Sequence, residues 1–129
     1  MPTAVVVYDP DGILPSSFAR DTGRAEDVAI VEMAADAHRL ARDAAVMVLV
    51  AGRNRSAALG FLAMSAGPRT LQLVLFASDV RHHRRAVVRA SRHRAVVLVG
   101  QTPDRLSACI RELLETRSAT SAADRGSVR

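Results

Sequence analysis

Lysine and tryptophan are both absent from this 129-residue chain, cysteine occurs once, and aromatic residues make up only 3% of it. A lone cysteine, Cys109, excludes an internal disulfide and fits a cytoplasmic setting. With so few aromatics, Ala, Val and Leu must fill the interior, which favours closely apposed helices and strands. No apolar run approaches the ~18 residues that would span a bilayer. The N-terminal residues lack the basic, apolar, small-residue order of a secretory signal.

What is present is a 49% hydrophobic composition, enough for one domain with a real core. All 18 basic residues are arginine and the net charge is +5. Exclusive arginine beside abundant alanine reads as coding bias. Its one local excess is Asp79–Arg94, which holds six Arg, the tandem His82–His83 and a single acid. Such a basic helix face meets nucleic acid or an acidic partner, or is simply solvated.

Five short apolar runs punctuate the chain: Thr3–Tyr8, Asp27–Glu32, Ala45–Ala51, Leu71–Ala77 and Ala95–Val99. Four lack alternation and are rich in Val and Leu, as suits strands covered on both faces. Helical patterns separate or follow them. Gly12–Asp21 forms a short first helix with Pro15 in its first turn. Ala35–Ala44 places Ala37, Leu40 and Ala44 on one side. Ser56–Ala66 stops at Gly67–Pro68. Asp79–Arg92 points Val80, Val87, Val88 and Ser91 inward. Pro103–Thr116 starts from Thr102 as N-cap with Pro103 at the first position, and carries Leu106, Cys109 or Ile110, Leu113 and Leu114 as its stripe.

Strand and helix alternating five times predict a parallel sheet with right-handed crossovers and helices on both faces. Residues 1–117 make this domain; Ser118–Arg129 has almost nothing to bury and reads as a disordered tail or linker. A rival reading makes residues 26–44 one helix, leaving four strands. The run Asp27–Glu32 decides between the two.

The stretch Gly67–Arg117 resembles the second half of a receiver domain of the response-regulator family. Gly67-Pro68 leads into a strand, Arg89-Ala90-Ser91-Arg92 forms a turn, and Pro103-Asp104-Arg105-Leu106-Ser107-Ala108-Cys109-Ile110-Arg111-Glu112-Leu113-Leu114 matches the last helix. Upstream, Ala4–Gly12 resembles the first strand with its acidic turn, and Val28–Asp36 the second strand and entry to its helix. The resemblance spans residues 3–117 and implies a three-layer (βα)5 flavodoxin-like fold around a five-stranded parallel sheet.

It also implies what a phosphorylating member needs: acids for magnesium, an Asp phosphoacceptor, a Lys and a Thr or Ser. Losing these charges removes the chemistry, since phosphoryl transfer rests on electrostatic positioning. Asp9 matches the first acidic position. The second falls on Pro10, with Asp11 as a nearby substitute oxygen ligand. The phosphoacceptor would end the third strand at Leu49–Ala51, yet no carboxylate occurs between Asp43 and Asp79. The Lys position falls on Val99. The Thr/Ser position falls on Phe76, with Ser78 two residues on. This degenerate pocket therefore predicts no catalysis, no resident metal and no cofactor.

The loop Gly52-Arg53-Asn54-Arg55-Ser56 lies where open parallel sheets bind ligands, and its two arginines suit a small anionic ligand; a solvated basic turn is the alternative. It lacks the glycine spacing of a P-loop or dinucleotide fingerprint. The histidines make no convincing metal site, and Cys109 reads as core packing, not as a nucleophile.

The functional expectation is a phosphorylation-independent receiver-like domain of a bacterial signalling or transcription-regulatory protein. The resemblance implies output through the fourth helix, fifth strand and fifth helix. Arg81, Arg84, Arg85, Arg89, Arg105, Arg111, Glu112 and Glu115 are the charged residues of that face, whose mixture suits a homodimer. A DNA-binding effector outside this chain is a further expected partner; little DNA binding is expected of the chain itself, since nothing in it resembles a base-reading recognition helix. A membrane partner is not expected. Two other classes compete. One is a nucleotide- or metabolite-binding protein similar to universal stress proteins, carried by residues 50–56. The other is a PIN-type nuclease using Asp9, Asp79 and Asp104, which lacks a middle acid.

Overall fold

The structure is a computed structural model and describes residues 4–23, 25–52, 72–77, 81, 84–92 and 96–127. Its sheet comprises β1 (Val5–Tyr8), β2 (Val28–Val31), β3 (Val46–Ala51), β4 (Gln72–Ala77) and β5 (Val96–Val99). The described α-helices are α1 (Phe18–Asp21), α2 (Ala34–Ala41), α3 (Arg84–Arg92) and α4 (Pro103–Ser127), and a 3-10 turn at Ala25–Asp27 leads into β2. All strand pairs are parallel and the order is β2-β1-β3-β4-β5, a flavodoxin-like arrangement.

The unalternating apolar runs are strands for the expected reason. Every residue of β1 and β3 is buried, since each strand is flanked by others and covered above and below. Val6, Tyr8, Met47, Leu49 and Leu75 pack on one side with Ala37 and Ala41 of α2, while Val87 of α3 joins from the periphery. Val5, Val7, Val46, Val48, Val50 and Val74 pack on the other with Phe18 of α1 and with Leu106, Ile110 and Leu114 of α4. The side-chain period of two thus divides each strand between two cores. Small Ala37 and Ala41 let α2 lie close to the sheet. Leu106 and Ile110 are wholly buried, each stabilising the fold by about 1.5–3 kcal/mol through loss of water contact.

The ambiguous run resolves as a strand. Val28–Val31 pairs in register with Val5–Tyr8, so residues 26–44 are not one helix. At this sheet edge β2 is only partly covered, which explains its more polar sequence. The first helix is shorter than Gly12–Asp21, because residues 9–15 are committed to a turn around Asp9. In α3, Val87 faces the core but Val88 is 49% exposed, correcting the inward stripe that included both. The last helix starts as expected: the Thr102 carbonyl accepts from the N–H groups of Arg105 (3.0 Å) and Leu106 (3.3 Å). It continues to Ser127, so residues 118–127, read from composition as a disordered tail or linker, are helical here. Among the described residues no helix is long and apolar enough to cross a membrane.

The Ser56–Ala66 helix, Asp79 and Val80 lie outside the described residues, as do His82, His83 and His93. The side chain of Ser91 is likewise outside them.

Candidate functional site: the carboxyl end of the sheet and the edge beside its last strand

Asp9 follows β1 directly, and its N–H still donates to the Val31 carbonyl at 2.9 Å, extending the β1–β2 ladder by one bond. The next residues, Pro10, Asp11 and Gly12, turn back sharply. Gly12 donates to the Asp9 carbonyl at 3.2 Å and adopts φ +63°, a left-handed conformation that costs glycine little. Proline at the second turn position presets the first bend. The Asp9 side chain then closes the loop: Ile13 N–H donates to Oδ1 at 3.0 Å and Leu14 N–H to Oδ2 at 2.9 Å. Asp9 is only 2% exposed. Each carboxylate oxygen is thus engaged by the backbone of its own loop, and the residue serves as a brace.

Asp11 sits at the end of β3. A Cβ built on Gly52 would lie 2.3 Å from Asp11 Oδ2 and 2.5 Å from Ile13 Cδ1. Glycine at 52 therefore lets the first loop close onto the third strand.

The positions that the receiver resemblance assigns to the phosphoacceptor and its lysine are apolar neighbours. Ala51 pairs with Ala77, and Ala77 with Val99. These three side chains share one face of the sheet. Phe76 is on the opposite face, among Val50, Leu98 and Ile110. The structure therefore brings together Ala51 and Val99 but not Phe76, and the residue in their row is Ala77. The signal was available in the period of two along Gln72–Ala77. Ser78 lies outside the described residues, as do Arg53, Asn54, Arg55 and Ser56 of the anion loop; of that loop only Gly52 is described.

Among the described residues, the positions that the receiver resemblance assigns to magnesium ligands do not make a complete donor set. Asp9 is buried and braced, Pro10 offers no side-chain oxygen, and Ala51 stands where an acid would be required. Among the described residues no group of three His, Cys, Asp or Glu side chains converges.

The second region is the sheet edge at β5, whose four residues are half-buried. α3 packs on one side of it and α4 on the other. A surface cleft of about 470 Å³ is lined by Val96, Cys109, Glu112, Leu113, Glu115 and Thr116. Burial pushes the Cys109 thiol up from its ordinary range, and the charge of Glu112 adds to the shift. That is the chemistry of a packing thiol and not of an activated nucleophile.

Of the predicted output residues, Arg81, Arg84, Arg85, Arg105, Glu112 and Glu115 are exposed. The Arg89 side chain lies outside the described residues. Arg111 is exposed too, but its head group is engaged. Its Nε–H donates to the Thr22 carbonyl at 3.3 Å and its terminal nitrogen to that of Asp21. Four residues of α4, Arg105, Cys109, Glu112 and Thr116, follow the i, i+4, i+7, i+11 spacing of one helix flank; Arg111 occupies the flank toward α1. Sequence spacing around Leu106 and Ile110 carries that distinction, although the bond to Thr22, 89 positions away, does not show in it.

Searches of the chain against protein-family models, curated proteins and solved structures return no match.

Proposed function

We propose that this chain is a receiver-like regulatory domain that works by binding, without phosphoryl transfer. The observation that carries the reading is the apolar row Ala51, Ala77 and Val99 at the carboxyl end of the sheet, beside an Asp9 whose two oxygens brace their own loop. Positioned charge is what phosphoryl transfer requires, and here the described end of the sheet offers packing in its place. The flavodoxin-like strand order supports the same reading.

Self-association runs through the edge formed by α3, β5 and α4. A cleft lined by Val96, Leu113, Glu112 and Glu115, on the same edge as the helices that bear exposed Arg84, Arg85 and Arg105, mixes apolar and opposite-charge surface. Such a patch can complement its own copy across a two-fold axis. The expected setting is the cytoplasm of a bacterium, with a DNA-binding effector as the regulated partner.

Two measurements test this. After incubation with a small phosphoryl donor and magnesium, the intact mass should be unchanged; a stable phosphoryl adduct overturns the mechanism. In sedimentation velocity at micromolar concentration, Arg85→Glu and Glu112→Arg should each shift the chain toward monomer. A wild type that is monomeric throughout overturns the dimer.

A further inference from the structure

We infer that the outward face of α3 is a binding surface for the phosphate backbone of duplex DNA. The net charge locates it. Residues 79–94 hold six of the 18 arginines and one of the 13 acids, so the rest of the chain carries twelve of each and is neutral. No acid occurs between Asp79 and Asp104. Coding bias explains why the cations are arginine; it does not explain why the whole excess falls on one segment.

The helix concentrates that charge. At 100° per residue, Arg84, Arg85, Val88 and Arg92 fall within about a 100° sector, and all four are exposed. Val87, outside this sector, is the residue turned to the core. Among the described residues Arg84, Arg85 and Arg92 form no ion pair, whereas Arg39 pairs with Asp36.

Charge density selects the partner. From Arg84 to Arg92 the helix runs about 12 Å. Duplex DNA offers roughly one negative charge per 1.7 Å of axis, about seven over that length. An acidic helix with a carboxylate at every third or fourth residue offers about two or three. A second copy of this chain brings no more, since the exposed acids Glu112 and Glu115 share α4 with exposed Arg105. Backbone contacts need no base-reading side chain, so the lack of a recognition helix predicts binding without sequence preference. The dimer edge proposed above also uses Arg84 and Arg85, so duplex and second copy compete for this face; sedimentation with and without unlabelled duplex reports self-association, and anisotropy reports duplex binding, so each reading can fail alone.

The experiment titrates the full chain into a labelled 20-base-pair duplex and follows fluorescence anisotropy. With about four phosphates engaged, affinity should fall about a hundredfold between 50 and 200 mM NaCl, equally for two unrelated sequences. Arg84→Gln, Arg85→Gln and Arg92→Gln combined should reduce the log–log salt slope by about three. Gln keeps helix propensity, so the variant should stay folded. Arg20→Gln, Arg39→Gln and Arg42→Gln, with the same loss of net charge elsewhere on the surface, should leave the slope within about one. Three results overturn the inference. They are no binding at ~100 μM chain in 50 mM NaCl, equal losses for both triple variants, or displacement of the duplex by poly-glutamate as effective as by unlabelled duplex.

Discussion

Arg111 is tied to Thr22: its Nε–H donates to the Thr22 carbonyl at 3.3 Å, joining α4 to the end of α1 across 89 residues of sequence. The guanidinium also reaches the Asp21 carbonyl. Cations beside the last carbonyls of a helix satisfy acceptors the helix itself leaves unpaired. Thr22 is fully buried and adds its own Oγ–H bond to Ala19 at 2.6 Å. Arg111→Ala should therefore lower stability by about 1 kcal/mol, since the donor is exposed and partly screened. Arg105→Ala, exposed on the other flank, should change it by less than about 0.5 kcal/mol. Urea unfolding of both variants checks the contrast, and equal effects would count against the clasp.

Asp9 invites a sharper prediction. Its carboxylate is buried and accepts two backbone N–H bonds within one loop. Asp9→Ala leaves both donors without that acceptor and should cost about 2–4 kcal/mol. Asp9→Asn keeps one carbonyl oxygen and should cost less than the alanine variant. The midpoint of urea unfolding reports both, and hydrogen exchange at Ile13 and Leu14 reports the loop directly. A tolerated alanine would show that the brace is dispensable.

Cys109 supplies a pH-dependent observable. Burial raises the thiol first, and Glu112 raises it further. In the unfolded chain the thiol ionises at its ordinary value, so the folded state retains its proton to higher pH. The sign follows: stability from this group is unaffected below the ordinary thiol range and is lost as pH rises through it toward the raised value. Alkylation of the native chain should rise with pH later than alkylation in urea. Glu112→Gln should move the native profile part of the way back. Identical native and unfolded profiles would contradict the half-buried setting.

Much of the fold is legible because a parallel sheet asks little of local sequence beyond continuous apolar runs. Val5–Tyr8 and Val46–Ala51 lack alternation, and both are interior strands. Val28–Val31 was ambiguous since an edge strand tolerates polar neighbours, and only its pairing with β1 resolves it. Periodicity alone overextends the short first helix, because it does not register that Asp9 binds Ile13 and Leu14. The Asp-Pro-Asp-Gly string is a turn signal in its own right and marks where that helix cannot begin. Order in the chain places Phe76 in the pocket, although alternate residues of a strand face opposite ways. The clasp from Arg111 to Thr22 depends on tertiary placement and leaves no local pattern.

Leu106, Ile110 and Leu114 recur every fourth residue of α4, so one stripe seats the helix on the sheet. That stripe fixes rotation as well as contact: turning the helix by one residue, about 100°, would lift all three from the core together. The outward presentation of Arg105 and Glu112 is therefore set by the same side chains that close the interior.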